Sequence, residues 1–176
     1  MKELYLAKEQ DVISRQQLEE MIGQMLAQFP DLRKVLIIPP DYTRCYSYAG
    51  IITQIMYRML EEKYEGGIQV DVMPALGTHM PMSEEEMDKF FGDAVPRDRI
   101  LVHHWQTDTV VLGYVPAEVC AEISEGLFPE KIDVEVNHLL VDGGYELKKI
   151  RPCDMFSWSS HVETVVLLTR TEETTE

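Results

Sequence analysis

Apolar positions along this chain alternate between two spacings, and the alternation predicts helices separated by strands. Leu18, Met21, Ile22, Met25, Leu26 and Phe29 recur every three or four residues, the period of a helix with one buried face. Ser14, with Gln17 three residues on, predicts a capping box at its start, and Pro30-Asp31 closes it. Val35-Leu36-Ile37-Ile38 is a short all-apolar run of the kind a doubly covered strand gives. Helical spacing returns from Tyr48 to Tyr64, with Ile51, Ile52, Ile55, Met56 and Met59 expected to be buried and Gly66-Gly67 as the stop. A second strand is predicted over Ile68 to Met73. Ser83-Glu84-Glu85-Glu86 then predicts a capped helix through Phe90-Phe91, closed by Gly92.

Beyond Gly92, Ile100 to His103 predicts a third strand, and Thr109 to Leu112 either a fourth or the return arm of a hairpin. Pro116 starts a helix expected to run to Glu125, where Gly126 stops it. Ile132 to Val136 alternates apolar with acidic residues, as a half-exposed strand near an edge does. Val162 to Thr169 is a candidate last strand. Strands recur through helices at roughly thirty residues, the period of βαβ units. The expected fold is therefore α/β, with a Rossmann-like, largely parallel sheet and helices on both faces. The expected organisation is a helical lead-in over residues 1–34, an α/β domain over 35–147 and a divergent tail over 148–176.

Composition narrows the function. At 176 residues, with 45% hydrophobic and 27% charged, the chain suits one well-cored domain. A formal charge of −15 argues against nucleic-acid binding, because neutralising phosphates takes Lys and Arg. Much of that charge sits in Glu61-Glu62, Glu84-Glu85-Glu86 and the Glu172-Glu173 tail, which read as solvated faces. No apolar run approaches a membrane span and the start carries no signal-like apolar stretch, so a cytoplasmic protein without membrane contact is expected. Cys45, Cys120 and Cys153 form no CxxC pair, which argues for reduced thiols and against structural zinc.

The candidate chemistry lies in two loops, each directly after an apolar strand: Pro39-Pro40-Asp41-Tyr42-Thr43-Arg44 and Pro74-Ala75-Leu76-Gly77-Thr78-His79-Met80-Pro81-Met82-Ser83. In an open α/β sheet such loops face the ligand crevice. Taken singly, each is as readily an ordinary Pro-rich turn. Arg44 offers a planar fork for a carboxylate or phosphate. Asp41 is placed to orient Arg44 or a neighbouring histidine, or simply to cap the turn. His79 offers an imidazole, which suits acid–base work, or it bonds the loop backbone. His103 and His104, adjacent on a strand, point to opposite faces and do not suit one metal. His138 and His161 read as surface residues. No GxGxxG, Walker A, GxSxG or HExxH motif is present.

Taken together, Pro40-Asp41-Tyr42-Thr43-Arg44, the run from Ala75 to Met87, Phe91-Gly92, Leu112-Gly113-Tyr114-Val115-Pro116 and Val134-Glu135-Val136-Asn137 resemble the N-terminal domain of the lactate racemase family, whose members use a nickel-pincer nucleotide. The resemblance implies interconversion of 2-hydroxy acid stereoisomers, in which the pincer takes a hydride from Cα while a His removes the hydroxyl proton. His79 matches the first of two catalytic histidines. Asp41, Thr43 and Arg44 match the loop lining the substrate and cofactor crevice, and Gly77 and Thr78, which lead into His79, are expected with them to bind substrate or cofactor.

The tail departs from the family. Lys148 to His161 contains no Pro-His-Glu segment, Gly-rich stretch or correctly placed Lys. Neither Lys148 nor Lys149 is assigned as the cofactor anchor, nor His161 as the second histidine. The expectation is a racemase or epimerase relative lacking the cofactor-anchoring half, acting on a small carboxylate ligand as a homo-oligomer or with a separate C-terminal subunit. The alternatives are a non-catalytic module for small carboxylates or phosphates, and an inactive relative.

Overall fold

The structure, a computed structural model, describes residues 12–143 and the backbone of residues 145–153 and 163–170. It divides into two compact units between His103 and His104.

In the first unit, helix α1 (Arg15–Leu26) begins at Ser14, whose side chain accepts from the Gln17 N–H while Gln17 reaches back, completing the predicted box. Its carboxyl end is held from outside: Lys63 Nζ donates to the carbonyls of Leu26 and Phe29, each at 3.0 Å, and the Tyr64 hydroxyl donates to Phe29 at 2.8 Å. These contacts satisfy carbonyls a helix end leaves open. Strand β1 (Lys34–Ile37) leads to a 3-10 turn at Tyr42–Ser47 and helix α2 (Ala49–Lys63). Strand β2 (Gln69–Val72) then precedes α3 (Glu84–Phe91), capped at Ser83 by the predicted box with Glu86.

Strands β1 and β2 pair in parallel, Ile37 opposite Val72. Their core takes Ile22 and Leu26 from α1, Ile55 and Leu60 from α2, Val70 and Val72 from β2, and Phe90 and Phe91 from α3. Each such side chain contributes about 1.5–3 kcal/mol of burial. Ile55 is buried as the apolar spacing predicts, and Ile52, Met56 and Met59 pack partly buried against the core, whereas Ile51 is 37% exposed. The buried stripe also takes in Ala49, Thr53, Tyr57 and Leu60. Helix α3 comes close at Gly50, where a Cβ would lie 2.4 Å from the Phe90 carbonyl oxygen.

Parallel pairing extends to Ile100 by a single bridge from Val72, with the Leu101 N–H donating to the Val72 carbonyl at 2.7 Å. Ile100 to His103 therefore does not become a full strand. In the second unit, β3 (Thr109–Val115) pairs antiparallel with β4 (Ile132–Asn137) across a bulge between Val111 and Gly113. Between them lies α4 (Ala117–Ile123), for which Pro116 is the cap and not the first helical residue. A short α5 (His138–Asp142) follows, and β5 (Tyr145–Cys153) pairs antiparallel with β6 (Glu163–Arg170), near the candidate last strand.

The molecule is mixed α/β, as expected. The one largely parallel Rossmann-like sheet is not what the described residues form: three two-stranded pairs are present, and two are antiparallel. A hydrophobic run marks a strand without naming its partner, and β3 and β4, though joined through a helix, run antiparallel. Among the described residues no helix is long and apolar enough to cross a membrane.

Candidate functional site

The two candidate loops leave the sheet side by side. Parallel pairing continues past the strands: Met73 N–H donates to Ile37 at 2.9 Å, Ala75 N–H to Pro39 at 2.8 Å, and Pro40 bridges Ala75. Asp41 follows Pro40 and caps the 3-10 turn, its Oδ1 accepting the Thr43 N–H at 3.0 Å and the Thr43 hydroxyl. The second loop turns at Gly77, whose φ of +56° favours glycine, and closes with the His79 N–H on the Leu76 carbonyl at 2.9 Å.

That turn brings His79 back onto the first loop. Its Nδ1 lies 2.6 Å from Asp41 Oδ2, with the Asp41 side chain 7% exposed and the His79 side chain 55% exposed. Asp41 therefore does both things the sequence allowed, capping a turn and orienting a histidine. Burial pulls the Asp41 carboxyl upward most strongly, but the bonds from Thr43 and His79 outweigh it and hold the group below its ordinary value. An ionised carboxylate against Nδ1 places the proton on Nδ1 and leaves Nε2 as the acceptor in neutral imidazole. The arrangement leaves Nε2 free of that bond and open to accept a proton from a ligand.

Thr43 and Arg44 belong to the same turn. The Arg44 N–H donates to the Asp41 carbonyl at 3.0 Å, and the Arg44 carbonyl accepts the Ser47 hydroxyl at 2.7 Å. Thr78 is exposed beside His79. All six candidate residues, Asp41, Thr43, Arg44, Gly77, Thr78 and His79, therefore lie on two adjacent loops of the first unit.

The other histidines divide differently. His104 Nδ1 pairs with Asp108 at 3.1 Å and His138 Nδ1 with Asp142 at 3.0 Å, both within the second unit. His103 follows the Ile100 bridge and ends the first unit. His161 lies outside the described residues, and Lys148 and Lys149 sit on β5, of which the backbone alone is described.

Sequence reasoning missed two features of the first unit. Asp71, buried on β2, accepts from Gln69 Nε2 at 2.5 Å and faces Arg99 Nη1 at 3.5 Å. The acidic residue inside the apolar run Ile68 to Met73 was the available signal. A hollow of about 230 Å³ lies between the second loop and α3, lined by Leu76, Met82, Met87, Ile100, Leu101 and Val102 with Glu84 and Arg97. It includes neither Asp41 nor His79, so the dyad does not open into it.

Comparison with known proteins adds three findings. A family model described as lactate racemase N-terminal domain matches residues 3–142. The crystal structure of a structural-genomics target from Thermotoga maritima is 27% identical, with a TM-score of 0.62, over 76% of this chain and 32% of that one. Short stretches of 30 residues match uncharacterized RNA methyltransferases, at 60% identity in Mesorhizobium japonicum and 53% in Halalkalibacterium halodurans. Each stretch is 17% of this chain, which spans 7% of the length of either methyltransferase.

Proposed function

The chain belongs to the lactate racemase N-terminal domain family, and from that premise we propose that it supplies the proton-transfer and anion-binding side of a site that racemises or epimerises a 2-hydroxy acid. The observation that carries this reading is the 2.6 Å contact of His79 Nδ1 with Asp41, made between loops at the carboxyl ends of two parallel strands. On this reading Nε2 of His79 takes the substrate's hydroxyl proton, Asp41 stabilises the imidazolium that forms, and the same atom returns the proton. Arg44 holds the carboxylate through its fork.

The family is associated with the lactate racemase system, whose cofactor is the nickel-pincer nucleotide. The described residues do not fit its anchor. Neither loop contains a Lys; Lys34 opens β1 at the end away from the loops, Lys63 caps α1, Lys89 pairs with Glu85 and Lys131 with Asp133. Among the described residues no three His, Cys, Asp or Glu side chains converge on a metal site. The chemistry carried by these residues is binding and proton transfer. The remaining groups come, in this proposal, from another segment or subunit, whether a second copy or a separate C-terminal chain. The mismatch also favours a second reading, a non-catalytic module for a small carboxylate or phosphate that uses the same Arg44.

A match of 30 residues is shorter than a domain and brings no methyltransferase activity to this chain. The charge of −15 opposes RNA as a partner. The free thiols of Cys45 and Cys120 suit a reducing, cytoplasmic setting.

The test is calorimetry of the full chain with lactate. Arg44→Lys loses the paired geometry while keeping the charge, so affinity falls about tenfold, roughly 1.4 kcal/mol. Asp41→Asn weakens binding less. Equal affinities of wild type and Arg44→Lys remove the clamp.

A further inference from the structure

We propose that Thr43 is a positioning residue of the dyad: its hydroxyl fixes the Asp41 carboxylate so that His79 is held in the tautomer protonated at Nδ1, with Nε2 left bare. The inference rests on reading His79 as the proton acceptor, and it names what keeps that acceptor ready.

A carboxylate's terminal torsion is broad and roughly two-fold. Asp41 by itself thus has no preference for which oxygen meets His79. Thr43 supplies the preference. Its backbone N–H, at 3.0 Å, and its hydroxyl both donate to Oδ1, which leaves Oδ2 to accept from His79 Nδ1 at 2.6 Å. The backbone bond belongs to any turn of this kind. The hydroxyl bond depends on this side chain. A β-branched residue is stiff at χ1, so the donor is already aimed before the imidazole arrives.

The consequence reaches the reacting atom through two bonds. With Oδ1 held by two donors, Asp41 stays an acceptor toward Nδ1. An imidazole that donates from Nδ1 presents an unprotonated Nε2. Without the hydroxyl, Oδ1 keeps one donor of two, and the carboxylate is held less firmly against the Nδ1 whose proton it selects. Thr43 itself is exposed in the 3-10 turn, so replacing its side chain removes little packing.

The experiment is two-dimensional nitrogen–proton NMR of the full labelled chain above the imidazole titration range, with the His79 signals identified by their loss in His79→Gln. The wild type is expected to show Nδ1–H. Thr43→Val, which keeps the shape without the hydroxyl, is expected to lose that predominance and give a mixture of tautomers. Thr43→Ser is expected to restore it. Should Thr43→Val fail to fold, Thr43→Ala gives the same readout. An Nε2–H imidazole in the wild type overturns the proposal. So does a wild-type tautomer in the valine or alanine variant, or a serine variant that behaves like valine. Equal lactate affinities of wild type and Arg44→Lys in the calorimetry would overturn the carboxylate-clamp reading and leave this result standing, because the tautomer is read without a ligand.

Discussion

Replacing Asp41 with Asn removes one charge, keeps the shape and disturbs three hydrogen bonds that the structure names. The carboxylate accepts the Thr43 N–H at 3.0 Å, the Thr43 hydroxyl and, at 2.6 Å, His79 Nδ1. An Asn side chain still offers one oxygen to Thr43, but it turns an NH₂ toward Nδ1. Charge-assisted bonds become neutral ones, and one is inverted, so the expected loss is about 1–3 kcal/mol at neutral pH. With a urea slope of roughly 1–3 kcal/mol per molar, the midpoint falls by about 1 M. The pH dependence is the sharper test. Asp41 in the folded chain lies below its ordinary value of 3.8. Its contribution is therefore full above that value and is lost as pH falls through the folded value. The gap between wild type and Asp41→Asn should persist down to about pH 5 and should close below about pH 4. Other carboxylates titrate in both proteins and cancel. Far-UV circular dichroism is the right probe, because α1, α2 and α3, of 12, 15 and 8 residues, lie in the first unit. Both tryptophans, Trp105 and Trp158, lie beyond it. A gap that is absent at neutral pH, or that does not close in acid, refutes the Asp41 carboxylate as a stabilising partner of Thr43 and His79.

Two further outcomes test how the loops are held. Gly50→Ala forces a Cβ to within 2.4 Å of the Phe90 carbonyl; the overpacking costs about 1–3 kcal/mol and outweighs a helix gain of about 1 kcal/mol, so a raised melting temperature would contradict the observed approach of α2 and α3. Lys63→Met keeps the stem and removes the bonds to Leu26 and Phe29; it should lower stability by about 1–2 kcal/mol, and an unchanged urea midpoint would show that α1 needs no such cap.

What the sequence made legible and what it concealed separate by range. Both capping boxes, Ser14 with Gln17 and Ser83 with Glu86, were readable because the partners lie three residues apart. Each candidate loop was readable from its strand and its prolines. The pairing of Asp41 with His79 spans 38 residues, and only the parallel register of β1 with β2 brings the two together. The sequence offered Asp41 two partners and had no means of choosing. The same limit explains the sheet. Thr109 to Val115 is apolar enough to be a strand anywhere, and its antiparallel partner Ile132–Asn137 is selected across α4, beyond the reach of a periodicity argument. Helix α2 shows the limit at its smallest scale: Ile55 is buried as its spacing suggests, but Thr53 is buried and Ile51 is 37% exposed, a choice hydrophobicity alone would not make. Site and core are thus both set by long-range contacts: the β1–β2 register brings Asp41 and His79 together, as the approach of Phe90 to Gly50 brings α3 onto α2.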